Sequence, residues 1–353
     1  MDKKKIAVAM SGGVDSSVTA AILKEQGHDV IGITMELSDC SAGAVADAKL
    51  VADFLGIEHH VADFRQLFQE KVIDYFLSEY AAGRTPNPCV ACNPNVKFGG
   101  LIAEAQKYGC DYLATGHYAK VFYDANTQRY NIAKGSDDHK DQAYALYRLT
   151  QQQLAHVMTP LGGWNKTDTR AEAAKRNLPV ANKPESQEIC FVPDDDYKNY
   201  LVQHRPELKH PGDIVDTKGN VLGQHNGIAF YTIGQRKGLG LAGGPWFVVK
   251  KNVRKNIIFV ARGWDTQLQY GHKFRLADFH YITDPLPLTE GQEMDITFKI
   301  RHVDHFMQGT IRREAEGYVI NSPQPIQGIA PGQFGCIYDA DMTYMLGSGE
   351  ISL

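Results

Sequence analysis

Six residues near the N-terminus, Ser-Gly-Gly-Val-Asp-Ser at 11–16, constrain the fold more than any other part of the sequence. They follow the apolar run 5–10, which is typical of a buried parallel strand. A helical pattern runs from Ser16 to Gln26 and stops at Gly27. A glycine-rich turn between a strand and a helix allows close backbone approach and presents free N–H groups, and both features suit a phosphate. The segment therefore predicts an α/β domain with an anion site after its first strand.

The residues after the glycines exclude one common type of phosphate loop. No Lys-Ser or Lys-Thr comes after them, so the loop is not the Walker A type that holds β- and γ-phosphates. It resembles the loop of ATP pyrophosphatases, which cleave ATP between the α- and β-phosphates and leave AMP on an acceptor. An ordinary glycine-rich turn remains the alternative, but both the six-residue string and its context match the resemblance.

The rest of the N-terminal region alternates strand and helix patterns up to about residue 205. Strands are predicted at 5–10, 29–35, 59–64 and 111–115, and helices at 43–55, 66–81, 97–108 and 168–176. This alternation predicts a doubly wound parallel sheet, with ligands outside the carboxyl ends of the strands. The resemblance of the phosphate loop implies that the sheet is of the adenine-nucleotide alpha-hydrolase type. We expect Met35 and Gly116 at that edge, and we read 83–96, with its three prolines, as an ordered loop.

After residue 205 only short strands separated by glycine and proline turns are predicted. This pattern favours a small mixed β domain over 206–272 and a C-terminal β-barrel over 273–353, after a catalytic domain over 1–205. Residues 231–275 contain nine Lys or Arg and a single acidic residue, Asp265. Such a basic stripe is typical of a surface that binds a phosphate backbone, although a solvated face with counter-charges elsewhere would give the same count.

Composition excludes several classes of protein. The 353 residues are 43% hydrophobic with a net charge of −4, which suits a globular protein that is not basic throughout. No apolar run approaches the roughly 18 residues of a membrane helix, and no secretory segment opens the sequence. We therefore expect a cytoplasmic protein without a membrane partner. Its six cysteines are better read as thiols, ligands or catalysts than as structural disulfides.

The cysteines leave three interpretations open. Cys89 and Cys92 form a Cys-x-x-Cys pair between prolines, but no second such pair completes a zinc site. A thioredoxin-like pair is the second interpretation, although the motif does not open a helix after a first strand. The third is sulfur chemistry with a distant partner, for which Cys190 is the natural candidate. Lys97 and Arg84 are near enough in sequence to lower a thiol pKa.

Several motifs occur in the order seen in one family. They include Thr85-Pro86-Asn87-Pro88, Cys92-Asn93, Ala114 to Tyr118, Lys140-Asp141-Gln142, Cys190-Phe191, Tyr231 to Gly238 and Pro331-Gly332-Gln333. In this respect the chain resembles the bacterial tRNA 2-thiouridylases of the MnmA family, over almost its whole length. The resemblance implies ATP-dependent installation of sulfur at C2 of the wobble uridine in tRNAs of the Lys, Glu and Gln types. It also implies a sulfur-relay protein or cysteine desulfurase as a partner.

The resemblance assigns roles to residues of this chain. ATP is implied to bind Ala9, Met10, Ser11, Gly12, Gly13, Val14, Asp15, Ser16, Met35 and Gly116, with Mg²⁺ near Asp15. The target base is implied to contact Asn87, Pro88 and Cys89. Other tRNA contacts are implied for His117, Lys140, Asp141, Gln142, Arg301, His302 and Gln333.

Two sulfur mechanisms are compatible with the cysteines. In the preferred one, the resemblance implies that Cys190 carries a persulfide and that Cys92 is the nucleophile that releases the sulfur or closes a disulfide with Cys190. However, Cys89 stands where many family members have Asp. Cys89, Cys92 and Cys190 would therefore also suit a [4Fe–4S] cluster with one open iron. Other classes of protein remain as rivals, namely another adenylating ligase with the same loop and an RNA-binding module that has lost its activity.

Overall fold

The computed structural model describes residues 2–38, 41–185, 189–263, 270–301 and 305–352. Within these ranges no helix is long and apolar enough to cross a bilayer. The strands of the N-terminal part are β1 (Lys5–Ala9), β2 (Asp29–Glu36), β3 (Glu58–Asp63), β4 (Tyr112–Ala114), β5 (Ala119–Asp124), β6 (Arg129–Lys134) and β7 (Val157–Met158).

Helices connect these strands on both faces of the sheet. The α-helices are α1 (Val14–Glu25), α2 (Ala42–Leu55), α3 (Arg65–Phe68), α4 (Asp74–Ala81), α5 (Pro88–Cys92), α6 (Leu101–Lys107), α7 (Ala143–Leu146), α8 (Gln151–Leu154), α9 (Lys166–Lys175) and α10 (Tyr197–His204). Two π-helical segments, Gln69–Ile73 and Asn93–Gly100, join α3 to α4 and α5 to α6. Short 3₁₀ turns lie at Pro160–Gly163, Pro193–Asp195, Pro206–Leu208 and Ile228–Phe230.

The first sheet is parallel, with the strand order β3-β2-β1-β4-β7. Its central strand β1 is apolar on both faces, and Ile6, Ala7 and Val8 are fully buried. A strand that is buried on both faces requires helices on each side. The predicted doubly wound parallel sheet is therefore confirmed, and the observed strands lie within about one residue of the predicted ones.

The Cys-x-x-Cys segment departs from the prediction. The stretch that we expected to be a loop contains helix α5, which includes both Cys89 and Cys92, and continues into a π-helix. The side chain of Asn87 caps this helix by accepting a hydrogen bond from the Cys89 N–H (3.1 Å), and Pro88 occupies the first helical position. Asn at the cap and Pro at the first turn are strong helix-start signals. The prediction of a loop throughout 83–96 was therefore wrong from Pro88 onward, because the prolines were read only as loop formers.

The second sheet is small and mixed, as predicted. Its strands are β8 (Gly212–Asp216), β9 (Val221–His225), β10 (Trp246–Asn252) and β11 (Ile257–Arg262), in the order β10-β11-β8-β9. The β8–β11 pair is parallel and the other two pairs are antiparallel. Apolar residues of this sheet, such as Val248 and Ile258, share a core with Phe76 of α4 and with Phe191. The same core contains Cys92 of α5, so the sheet packs against the segments that carry Cys92 and Cys190.

The C-terminal strands form the closed barrel that the sequence predicts. They are β12 (Tyr270–Tyr281), β13 (Glu293–Lys299), β14 (Met307–Arg313), β15 (Tyr318–Gln327), β16 (Phe334–Asp339) and β17 (Met345–Ser352), with the barrel order β12-β15-β14-β13-β16-β17. Strand β12 begins slightly before the predicted domain start at 273. The barrel packs on α7 through a shared core that contains Tyr144, Tyr147 and Phe334. This junction lies close to the Lys140–Gln142 segment.

Candidate active site

The glycine-rich loop after β1 is shaped by the helices around it. Gly12 has a φ of +67°, which favours glycine, and a Cβ there would lie 2.6 Å from the carbonyl oxygen of Ala44 in α2. Gly12 is therefore required by the packing of α2 as well as by the turn. Gly13 precedes α1 with extended backbone angles, and the nearest atom to a Cβ there would be Ser11 Oγ at 3.4 Å. The loop is thus closed on the side of Gly12 and more open at Gly13.

Hydrogen bonds from serine hydroxyls fix the conformation of this loop at the start of α1. Ser16 Oγ accepts a hydrogen bond from the Ser11 N–H (3.2 Å) and donates to the Gly13 carbonyl (3.1 Å). Ser17 Oγ donates to the same carbonyl at 2.8 Å. The N–H groups of the first helical turn have no partner within the helix and carry partial positive charge. This arrangement is competent to bind a phosphate group.

Other residues predicted to bind ATP lie at the same edge of the sheet. Ala9 ends β1, Met10 is buried behind the loop, and Met35 is close to the end of β2. Gly116 follows β4, and a Cβ at this position would lie 2.8 Å from the Asp15 carbonyl carbon and 2.9 Å from the Ser16 nitrogen. Gly116 is therefore needed because the chain crosses the N-terminus of α1 at close range.

Asp15 is held by two residues that sequence reasoning did not identify as part of the site. Lys166 Nζ donates to both of its carboxylate oxygens, at 2.7 and 2.8 Å, and the Tyr118 hydroxyl donates to Oδ1 at 2.9 Å. Lys183 Nζ donates to the Gly12 carbonyl at 3.0 Å and also pairs with Asp47. Two lysines therefore flank the phosphate loop. Their sequence signal is weak, since Lys166 reads as an ordinary first residue of α9.

Glu185 joins the phosphate loop to the Lys140 segment. Its carboxylate accepts a hydrogen bond from Lys140 Nζ (2.7 Å) and also lies 3.4 Å from Lys166 and 3.6 Å from Arg170. The hydrogen bond from Lys140 is the main reason why the pKa of Glu185 is below its usual range. The Glu185 carboxylate thus neutralises Lys140, which is predicted to contact tRNA, and Lys166, which lies beside the phosphate loop.

The three cysteines that were singled out from the sequence meet in the fold. Cys92 is buried, whereas Cys89 and Cys190 are exposed at the surface. Cys190 is anchored by its neighbour Phe191, whose ring lies 5.2 Å from that of Phe76 and 5.4 Å from that of Phe68. The three thiols are close enough to influence one another, because Cys89 and Cys190 both contribute to the raised pKa of Cys92.

Burial and a nearby lysine act on the thiol pKa values in opposite directions. Burial raises the pKa of Cys92 to about 12, and Lys97 lowers it through its ammonium charge and through a hydrogen bond from its backbone N–H. Desolvation also raises the pKa of Cys190, Cys89 raises it further, and Lys97 again opposes the shift. Although Cys190 reaches the surface, protein atoms surround it on most sides. Lys97 therefore lowers the pKa of both thiols, as the sequence predicts.

The described cysteines are free thiols, and they do not form a preassembled metal site. Cys89, Cys92, Cys110, Cys190 and Cys336 are free, and Cys40 lies outside the described residues. Across the described ranges no group of three or more His, Cys, Asp or Glu side chains is positioned to hold a metal. The residues as arranged therefore do not fit a [4Fe–4S] cluster, and we derive no step through one.

The loop that is predicted to contact the target base is fixed by both neighbouring domains. Thr85 Oγ1 lies 3.0 Å from Thr232 Oγ1 of the central domain, and Gln333 Nε2 of the barrel donates to the Thr85 carbonyl. Gln333 thus supports the loop that leads to Asn87 and Pro88. Pro88 is buried, whereas Cys89 is exposed at the start of α5.

The remaining residues predicted to bind tRNA lie in different environments. Burial lowers the pKa of His117 well below its usual value, and its Nδ1 lies 2.8 Å from Thr115 Oγ1. Arg301 donates to the Gln327 carbonyl at 2.7 Å. Asp141 is buried, whereas the side chain of Lys140 is partly exposed. His302 lies outside the described residues.

The basic stripe of the central domain divides into exposed and inward-facing residues. Lys250, Arg254 and Lys255 are exposed, and we refer to them as the exposed basic cluster. Lys251 turns inward and donates to the Tyr231 carbonyl at 2.6 Å. Its burial lowers the pKa of Lys251 to about 8. Lys251 therefore supports the Tyr231–Gly238 segment rather than adding a free cation to the surface.

Comparison with known proteins covers almost the entire chain. Residues 4–194 match the family described as tRNA methyl transferase HUP domain, 198–262 match the tRNA methyl transferase PRC-barrel domain, and 271–351 match the aminomethyltransferase beta-barrel domain. Proteins named tRNA-specific 2-thiouridylase MnmA are similar over nearly their full lengths. That of Clostridioides difficile is 44% identical, covering 99% of this chain and 98% of the relative, and that of Moorella thermoacetica is 46% identical, covering 98% of each. A solved 4-thiouridine synthetase–RNA complex with bound ATP is 17% identical, with a TM-score of 0.34 over 58% of this chain and 51% of that chain.

Proposed function

This chain belongs to the MnmA family of tRNA-specific 2-thiouridylases, and we propose that it uses ATP to place sulfur at C2 of the wobble uridine of tRNA. The names of the matching family models refer to methyl transfer, but methyl transfer requires neither an ATP-cleaving loop nor paired thiols. The observation that carries the proposal is the convergence of three thiols, from α5 and from the segment around Cys190, in a domain that also holds the phosphate loop.

Adenylation of the uracil is the first step. The C2 oxygen attacks the α-phosphorus of ATP, pyrophosphate leaves, and AMP becomes the leaving group on C2. We assign the phosphates to the N–H groups at the start of α1, with Lys166 and Lys183 as flanking cations. Mg²⁺ commonly uses one or two carboxylates together with substrate phosphates, so Asp15 suits it as a single protein ligand. When bound, the ion would neutralise phosphate charge.

Lys166 occupies the Asp15 carboxylate, which would have to be released before Asp15 could bind Mg²⁺. Both oxygens of Asp15 are occupied by Lys166 in the structure. Phosphate oxygens are stronger partners for an ammonium in this position because they bring several negative charges to the loop. We therefore assign to Lys166 an exchange from Asp15 to the phosphates when ATP binds, which leaves the Asp15 carboxylate available.

Sulfur transfer is the second step. Cys190 carries a persulfide that it receives from a sulfur-relay protein or a cysteine desulfurase. The thiolate of Cys92 attacks Cys190 Sγ, which forms a Cys92–Cys190 disulfide and expels the outer sulfur as sulfide. The sulfide attacks C2 and AMP departs. The outer sulfur is reduced as the two thiols are oxidised, so a cellular dithiol must reduce the disulfide before the next turnover.

Recognition of tRNA is assigned to surfaces around this site. Lys140, Arg301 and the exposed basic cluster supply cations for phosphate contacts, which position the RNA without reading its bases. The uridine must leave its stack to reach the thiols. Asn87 and Cys89 at the start of α5 are the groups that we assign to the extruded base. We place the reaction in the cytoplasm, where tRNA and ATP are available.

The test is single-turnover formation of 2-thiouridine, measured by mass spectrometry of digested tRNA, together with pyrophosphate release. We expect both products from the parent protein, and pyrophosphate alone from Cys92→Ser and Cys190→Ser. Cys110→Ser is the matched control because Cys110 is buried in the core of the α/β domain. Full thiolation by Cys92→Ser and Cys190→Ser would favour a ligase that does not use these thiols. Absence of tRNA-dependent pyrophosphate from the parent would favour an inactive RNA-binding module.

A further inference from the structure

A buried ion pair joins the barrel to the α/β domain. Lys299 of β13 and Asp141 each expose only 1% of their side chains, and Lys299 Nζ lies 3.1 Å from Asp141 Oδ2. The other carboxylate oxygen, Oδ1, accepts hydrogen bonds from the N–H groups of Gly135 and Ala143, both at 3.1 Å. The Asp141 carboxylate is therefore fully engaged inside the protein.

The buried ammonium of Lys299 likewise depends on Asp141 for neutralisation. Its ammonium lies 4.1 Å from the centroid of the Phe306 ring, and that ring packs edge-on against Tyr338 at 5.2 Å. Among the described residues, Asp141 is the carboxylate that neutralises it. A buried charge that loses its partner is strongly destabilising, so the position of each residue is set by the other.

The residues on either side of Asp141, Lys140 and Gln142, are both predicted to contact tRNA. Lys140 points away from the pair, and its ammonium reaches Glu185 at 2.7 Å. Gln142 accepts a hydrogen bond from the Tyr118 N–H through Oε1 (3.0 Å), and its own N–H donates to the Tyr118 carbonyl (2.8 Å). The hydroxyl of Tyr118 in turn contacts Asp15 of the phosphate loop. The inward anchoring of Asp141 therefore sets the outward direction of Lys140.

The barrel also fixes the chain that follows this segment. Helix α7 begins at Ala143, and the hydroxyl of Tyr144 donates to the Phe334 carbonyl of β16 at 3.1 Å. Ser348 Oγ of β17 donates to the Tyr147 carbonyl at 3.4 Å. The segment 140–142 is thus placed by contacts to the barrel both at Asp141 and immediately after Gln142.

We propose that Lys299 is a positioning residue for tRNA binding, which acts by anchoring Asp141 and thereby orienting Lys140 toward the RNA while Gln142 stays fixed against Tyr118. The docked barrel thus builds part of the tRNA site of the α/β domain without touching the RNA at this point. The inference rests on the proposed function, in which the segment 140–142 contacts tRNA. It changes the role of Asp141 from an RNA contact to an internal anchor.

The test measures tRNA affinity over a range of salt concentrations for Lys299→Met, Lys140→Met and the double variant. We expect each single variant to lose about tenfold or more in affinity, the value of one charge-assisted hydrogen bond. The slope of log affinity against log salt should decrease by the same amount in both, because both lose the Lys140 phosphate contact. The double variant should be no weaker than Lys140→Met. Additive losses would overturn the proposal, since they would mean that Lys299 acts independently of Lys140.

A rescue experiment separates positioning from direct contact. In the Lys299→Met background, Asp141→Asn removes the unpaired buried charge and keeps an oxygen for Gly135 and Ala143, so tRNA affinity should return to within about twofold of the parent. A direct phosphate contact by Lys299 would show no rescue and would refute the proposal. Lys134→Met is the matched control, because Lys134 also lies over the Phe306 ring but pairs with the exposed Asp138.

The outcome also distinguishes this inference from the proposed function. If the parent protein forms no 2-thiouridine, the proposed function fails. If thiolation is intact and Lys140→Met weakens tRNA binding while Lys299→Met does not, the positioning role fails alone. If Lys299→Met does not fold, as judged by circular dichroism, Lys299→Gln replaces it: the glutamine amide keeps a donor for Asp141, so positioning through Asp141 predicts tRNA affinity within about twofold of the parent, whereas a direct phosphate contact by Lys299 predicts loss of that affinity and would refute the proposal.

Discussion

The pH dependence of sulfur release follows from the burial of Cys92. Burial raises the pKa of this thiol from an ordinary value of 9.0 to about 12. The shift corresponds to about 4 kcal/mol against the charged form. At pH 7 only roughly one Cys92 side chain in 10⁵ is therefore a thiolate. Since the thiolate is the nucleophile, its small population should limit the step in which Cys92 attacks Cys190.

The experiment begins with protein whose Cys190 already carries a persulfide. Adenylated tRNA is formed on it in a single turnover between pH 6.5 and 8.5, and 2-thiouridine is measured by mass spectrometry. We expect the rate constant to rise about tenfold per pH unit, because the thiolate fraction rises by that factor below the pKa. Lys97→Met should slow the step at every pH, since Lys97 lowers the pKa of Cys92.

The control is Cys110→Ser, which should reproduce the pH profile of the parent protein because Cys110 lies in a separate core. A rate constant that does not change with pH, measured where sulfur transfer limits the turnover, would refute the reasoning. It would show that Cys92 is already ionised in the complex or that its thiolate does not take part in the limiting step. An unchanged rate in Lys97→Met would remove Lys97 from the mechanism.

Three further predictions concern the phosphate loop, the central domain and Cys89. Asp15→Ala should abolish tRNA-dependent pyrophosphate release. The protein should stay folded, because Lys166 retains Glu185 as a partner at 3.4 Å. Retained pyrophosphate release would contradict the assignment of Asp15 as the Mg²⁺ ligand. Replacing the exposed basic cluster with alanine should reduce the slope of log tRNA affinity against log salt by roughly 0.7–0.9 per lost phosphate contact, whereas Lys251→Ala should leave the slope unchanged and lower the melting temperature. An unchanged slope in the cluster variant would show that this face points away from the RNA. Cys89→Ser should retain more thiolation than Cys92→Ser, since persulfide relay needs two thiols, and equal loss in the two variants together with bound iron in the parent would favour a cluster.

Much of the architecture was predictable because it depends on local patterns. The fully apolar β1 and the helical pattern that follows it are adjacent in sequence, so they predict a parallel sheet and the place of the phosphate loop. The short alternating strands after residue 205 predict the mixed sheet and the barrel for the same reason. The signal for α5 was also present, since Asn87 and Pro88 are a helix cap and a first-turn proline.

The partners of the site residues could not be predicted in this way. Asp15 and Lys166 are far apart in the sequence, as are Asp141 and Lys299, and no periodicity relates them. Their pairing arises because the sheet, α9 and the barrel pack in one arrangement. The direction in which Lys251 points likewise depends on the core beneath its strand.

The sequence by itself therefore determined most of the elements and proposed the residues that carry the chemistry, because strand and helix periods, caps and the phosphate loop depend on neighbouring residues. Only the tertiary structure decided the electrostatic state of those residues. Burial of Cys92, the ammonium of Lys97 beside the thiols, and the inward anchoring of Asp141 all depend on groups from distant segments. The physical reason is that pKa values and ion pairs respond to distance and solvent exposure in space, and these quantities exist only once the chain has packed.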